Sequence, residues 1–136
     1  MTDLDKLFER IEKDIQDTLK NEVAETVKDN LQTAIQEGVY NAYTPKLYKR
    51  RKNNGGLLDR RNMESRIDGN TLTVRDNAPL DNGRTNYALD DIIVNGLGYM
   101  PFPRDFYSEC ADRLDETGEH TEALKRGLKK MGYNVK

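Results

Sequence analysis

One histidine, one cysteine and 24 carboxylates are what this chain of 136 residues could use for catalysis. His120 stands beside a helix break between Glu119 and Thr121, and a metal site would need more ligands close by. Cys110 shares a helical face with Phe106 and Leu114, so it reads as a packed thiol rather than a nucleophile. No Cys/His or Ser/His/Asp arrangement can be assembled around the lone histidine. Asp90-Asp91 and Asp115-Glu116 are adjacent acids, and neighbours on a helix point apart. The stretch from Asp76 to Gly83 does not alternate its acids as a calcium loop does. Gly55-Gly56 is not followed by the Lys-Ser/Thr of a phosphate cradle. The expectation is a protein that is not an enzyme and has no metal or cofactor.

The strongest local feature is basic. Tyr43 and Tyr48 are interleaved with Lys46, Lys49, Arg50, Arg51 and Lys52, and Arg60 and Arg61 follow. Charges for phosphates and rings for stacking fit nucleic acid. Docking onto an acidic helix of a neighbouring subunit, or plain solvation, fits as well. The chain supplies such acidic partners. Residues 3–37 carry ten acids against five bases, and residues 105–123 carry seven against one. The net charge of −2 lacks the basic excess usual in a nucleic-acid-binding domain.

The elements that must position these residues are legible from periodicity. Leu7, Ile11, Ile15, Leu19, Val23, Val27, Leu31, Ile35 and Val39 recur every four positions, which predicts one long helix over 3–39, capped by Thr2 or Asp3 and weakened at Gly38. Four residues turn an α-helix by about 400°, so the stripe drifts about 40° per step and winds most of the way round. Either the helix bends around one core, or one end packs on its own domain and the other on a neighbour. The second choice makes Leu7, Ile11 and Ile15 interface candidates, together with Tyr43, Tyr48, Lys49, Arg50, Arg51, Arg60 and Arg61. Residues 41–61 read as a long basic loop. Residues 62–76 read as a hairpin turning at Asp68-Gly69 or Gly69-Asn70. The C-terminal part, 87–131, reads as a short helix ended by Gly96, a helix over 104–117 broken by Gly118, and a last helix around Ala123, Leu124, Leu128 and Met131. The fold class is α+β: a long N-terminal helix and C-terminal helices packed on a small antiparallel sheet, as a single structural domain over 1–136.

Hydrophobic residues make up 35% and charged residues 34%, which implies a thin core and a large solvated or partner-facing surface. A single cysteine allows no intrachain disulfide and suits synthesis in a reducing cytoplasm. The acidic start has no signal-peptide pattern, and no apolar run approaches a membrane span, so no membrane partner is expected.

The order of these features resembles the tail-completion or head–tail joining proteins of tailed bacteriophages. A long amphipathic helix runs into a Tyr- and Arg-rich loop ending in Gly55-Gly56-Leu57-Leu58. A hairpin follows, then a segment from Tyr87-Ala88 to Val94-Asn95-Gly96, with Asn95 where that family commonly has an acid. Pro101-Phe102-Pro103-Arg104-Asp105-Phe106 then leads into a terminal helix. The resemblance spans about residues 5–131 at the level of layout. It implies a virion structural protein, made in the host cytoplasm, that forms a ring, expected as a hexamer. The ring would sit between neck and tail-tube proteins, with DNA passing through its pore without specific binding. Two other readings stay open: a small nucleic-acid-binding or nuclease-like protein using the basic segment 46–61, and a helical adaptor for one unrelated host protein.

Overall fold

The computed structural model describes residues 2–40, 56–78, 89–95 and 104–135, apart from the side chains at 91 and 92. The long helix runs without a break from Asp3 to Tyr40, as α1 (Asp3–Thr18), a π turn (Leu19–Val23), α2 (Ala24–Ile35) and a second π turn (Gln36–Tyr40). Thr2 opens it with a reciprocal cap: its hydroxyl accepts from the Asp5 N–H, and the Asp5 carboxylate accepts from the Thr2 N–H, both at 3.1 Å. Gly38 does not end the helix, which carries on to Tyr40.

The π turns answer the drift of the four-residue stripe. Eight steps from Leu7 to Val39 drift roughly 320° on a pure α-helix. A turn closed i→i+5 holds one extra residue, so each π turn takes back about 100°. The remaining drift is about 120°, which one side of a domain can cover. Val23, Leu31, Ile35 and Val39 are accordingly all buried.

The strands β1 (Met63–Asp68) and β2 (Thr71–Asp76) pair antiparallel, with Met63 opposite Asp76 and Ile67 opposite Leu72. The turn is Gly69-Asn70, with Gly69 at φ 61, where a side chain would be strained. Met63, Ser65 and Ile67 share the inward face with Leu72, Val74 and Asp76, by the period of two. The tip is tied to α1 by Gln16, whose amide donates to the Gly69 carbonyl at 2.9 Å.

The short helix α3 (Leu89–Asn95) buries Ile93. α4 (Phe106–Thr117) is capped by Asp105, which accepts from the Ser108 N–H at 3.1 Å, and buries Phe106, Cys110 and Leu114. Gly118, at φ 68, ends α4 and starts α5 (Glu119–Lys130). A Schellman turn closes α5: the N–H groups of Gly132 and Tyr133 donate to the carbonyls of Lys129 and Leu128. The fold is α+β and mostly helical. Both C-terminal helices lie chiefly against the long helix, α4 beside α2 and α5 along the first π turn and α1, and the hairpin flanks the same helix.

Part of the expected basic loop is core. Residues 41–55, with Tyr43, Tyr48, Lys49, Arg50 and Arg51, lie outside the described residues. Leu57, Leu58 and Asp59 are buried, and Arg60–Asn62 form a 3-10 turn leading into β1. The two leucines sit in one cluster with Leu31, Ile35, Val39, Met63 and Phe106, and Gln32 holds the Leu58 carbonyl at 2.9 Å. An apolar pair following the glycines has a core to enter, which is why the chain cannot stay on the surface there.

Two helical glycines meet different neighbours. A Cβ at Gly127 would clash with Cγ2 of Thr18, a side chain only 1% exposed and unable to swing away. A Cβ at Gly38 would meet the carboxylate of Glu109, the far end of an exposed flexible side chain. Gly127→Val is expected to destabilise the fold by about 1–3 kcal/mol, lowering the melting temperature by several degrees. Gly38→Ala is expected to be neutral or slightly stabilising. Thermal denaturation followed by circular dichroism checks both, and equal losses for the two would contradict the α5–α1 contact.

Candidate assembly surface

The stripe of the long helix changes character along its length. From Val23 onward it is mostly buried; Ile11 and Ile15 are half-buried, and residues 2–10 are all exposed. Leu4 is 57% exposed, Leu7 50% and Phe8 58%, the largest apolar exposures among the described residues. The hydrogen bonds of α1 to the rest of the chain come near its end. Tyr133 donates to Asp14 at 2.6 Å, Gln16 holds the hairpin tip, and Thr18 touches the Met131 sulfur at 3.8 Å. At 1.5 Å per residue, roughly 12 Å of amphipathic helix therefore lies beyond the domain.

Of the residues expected at an interface, Leu7 stands on this bare end, whereas Ile11 and Ile15 are partly covered by the chain itself. Leu4 and Phe8 belong to the surface and fall outside the four-residue series. The signal that finds them is the alternation of three and four in Leu4, Leu7, Phe8 and Ile11, the amphipathic pattern of a shorter helix.

The arginines at the end of the basic segment are paired with carboxylates of their own chain. Arg60 donates to the carboxylates of Glu25 and Asp29, to the Glu25 carbonyl at 2.9 Å and to Gln32 at 3.2 Å. Partial burial works against its charge, but the two carboxylates outweigh it and raise its pKa. The acidic helix that meets this base therefore belongs to the same chain. Arg61 grips the buried Asp59 with Nε and Nη2 at 3.0 and 2.7 Å while its side chain stays largely exposed. On α5, Lys130 and Arg126 reach Glu22 at 2.9 and 3.4 Å and hold its carboxyl below the usual range.

A polar cluster that periodicity did not indicate lies between β2, α3 and α4. Asp90, 1% exposed, accepts from Tyr107 Oη at 2.5 Å and from Arg75 Nε at 3.0 Å. Tyr107 Oη accepts from the Asp76 N–H at 3.0 Å, and one Asp76 oxygen accepts from the Ala78 N–H at 3.0 Å. The other, Oδ2, is buried without a hydrogen-bond partner. Burial, with Asp90 and Asp59 adding negative charge nearby, pushes Asp76 up to about 7. Burial first, then the bond to Asp90, raises Tyr107 as well. Apart from that oxygen, the bonds among Arg75, Asp76, Asp90 and Tyr107 pin a strand to two helices. Among the described residues, no three His, Cys, Asp or Glu side chains are grouped to hold a metal. Cys110 is packed against the Val27 carbonyl, and burial pushes its thiol up to about 11, away from the reactive thiolate. His120 is half-buried rather than solvated, with Nδ1 shielded and without a hydrogen-bond partner. Among the described residues, no helix is long and apolar enough to cross a membrane.

A family model named YomN matches residues 3–130, nearly the whole chain. The chain belongs to the YomN family. That family is phage-derived, which makes the chain a phage-associated protein. The match includes the overhanging start of α1 and all of α5. No curated protein and no solved structure matches the chain.

The Asp76 carboxyl binds its proton more tightly in the folded state, about 7 against an ordinary 3.8. The stability this contributes is fully present below pH 3.8 and is lost as pH rises through about 7. Asp76→Asn, which stays neutral, is expected to match the wild type near pH 4 and exceed it by about 2–4 kcal/mol at pH 8. Denaturant unfolding at the two pH values measures the difference. An Asn variant that is less stable at pH 8 would mean the charge is compensated in the fold.

Proposed function

We propose that the chain is a virion structural subunit at the phage neck or tail junction, acting by assembly into a ring rather than by catalysis. The observation that carries this reading is the bare apolar end of α1. A small, highly charged domain leaves Leu4, Leu7 and Phe8 in water at a cost that burial against a neighbour would remove, at about 25 cal/mol per Å². The phage-derived family supports a place in a virus particle. The layout from a long helix through Gly55-Gly56-Leu57-Leu58 and a hairpin to an aromatic-proline helix entry supports tail completion or head–tail joining as the role, with neck and tail-tube proteins as neighbours. A head-to-tail contact joins two different patches of the subunit and forms a ring when its rotation closes, and a hexamer is the form that resemblance implies.

The nucleic-acid reading keeps less support. Arg60 is occupied by Glu25 and Asp29, Arg61 by Asp59, and the buried acids Asp76 and Asp90 face protein groups.

Leu7→Ser/Phe8→Ser should leave the fold within about 1 kcal/mol of wild type, since both side chains are already in water. The same variant should be lost from purified particles, read by immunoblot of particles made with a complementing copy. Normal incorporation of a variant that folds would remove α1 from the assembly surface. Absence of the wild-type chain from particles would remove the virion role itself.

A further inference from the structure

The bare stripe of α1 has a charged edge. Asp5, Glu9 and Glu12 each follow an apolar stripe residue by one position, about 100° further round the helix, and form an acidic row along one side. All three are exposed, and none makes an ion pair among the described residues. The other edge mixes Asp3 and Asp14 with Lys6 and Arg10. Two such ends packed antiparallel would set one acidic row against the other. A surface that covers this stripe and matches its acidic row is apolar with a basic edge.

α5 presents such a surface. Leu124, Leu128 and Met131 recur at i, i+4 and i+7 on one face; the leucines are half-buried and Met131 is 43% exposed. Ala123 and Gly127, one residue earlier, are buried against the long helix, so this strip lies at the open margin of that contact. Lys125 and Lys129 come one residue later, about 100° further round, and line the far side. Lys129 has no carboxylate partner among the described residues, and Lys125 has only a long 3.8 Å contact to Glu122. Arg126 and Lys130 are already held by Glu22.

We infer that the bare end of α1 in one copy docks on the Leu124–Leu128–Met131 strip of α5 in a second copy, with Asp5, Glu9 and Glu12 facing Lys125 and Lys129. On both helices the charged row lies on the same rotational side of the strip, so the rows face each other only when the helices run antiparallel. That is the relation α5 has to the long helix within one chain, where Glu119 meets Asn30 and Met131 meets Thr18. The contact joins unlike patches, so it propagates from copy to copy, into a ring where the rotation closes and into a filament where it does not. This inference rests on the assembly reading above and names the two patches that meet.

A charge-exchange experiment on the full chain tests it by sedimentation equilibrium at low and high salt. Glu9→Lys/Glu12→Lys and Lys125→Glu/Lys129→Glu should each weaken self-association by about tenfold or more, because each sets like charges together. An equimolar mixture of the two variants should recover association, since every contact between unlike chains is then complementary. Circular dichroism should show unchanged folding, as all four positions are at the surface. Reversals that leave association unchanged, or a mixture that fails to recover it, would overturn the pairing while leaving assembly through other patches standing. A wild-type chain that stays monomeric at high concentration overturns the pairing too. Whether it is found in particles then decides the virion reading separately.

Discussion

Everything in this fold leans on the long helix, and that helix has to reconcile two periods. Its apolar residues return every 4.0 positions, whereas α-helical geometry returns a face every 3.6. Without relief the stripe would wind round the helix and no single set of neighbours could cover it. The π turns at Leu19–Val23 and Gln36–Tyr40 supply the relief, and they sit where the neighbours attach. α5 packs along the first, where Gly127 lets the backbones close on Thr18 and Glu22 collects Arg126 and Lys130. The second carries Val39 into the same cluster as Leu57 and Phe106.

From this follows a division of labour along one helix. The half from Val23 to Val39 is spent on the core, held by Leu57 and Leu58 on one side and by α4 on the other. The stretch from Asp14 to Thr18 is a border, touched by Tyr133, the hairpin tip and Met131. The first turns have no cover at all among the described residues. The reciprocal Thr2–Asp5 cap matters most there, because these turns lack tertiary packing and depend on local interactions to stay helical.

Charge follows the same division. Inside the chain, acids on the long helix are matched by particular bases: Glu25 and Asp29 by Arg60, Glu22 by Lys130 and Arg126. Beyond the border the acids of α1 have no such partners among the described residues. The buried carboxylates Asp59, Asp76 and Asp90 belong to another system, one that stitches the start of β1, the end of β2 and α3 together. Among the described residues of this set, Asp76 has an oxygen without a hydrogen-bond partner, and burial pushes its pKa up.

What the sequence by itself determined was the set of elements. The four-residue stripe, the turn signal at Asp68-Gly69-Asn70, the Phe106–Cys110–Leu114 face and the glycines at 118 and 132 specify helices and a hairpin through local periodicity and backbone freedom, which are properties of neighbouring residues. The α+β class was legible for the same reason. The tertiary structure decided what those elements do to one another. It turned Arg60 onto its own chain, drew Leu57 and Leu58 from the expected basic loop into the core, and brought Asp76 beside Asp90 across a gap in sequence. It also determined that exposure falls on Leu4, Leu7 and Phe8 while Ile11 and Ile15 are half covered. Exposure is a relation between segments far apart in the chain: a stripe records that a face wants cover, and only the packed fold shows where the cover stops.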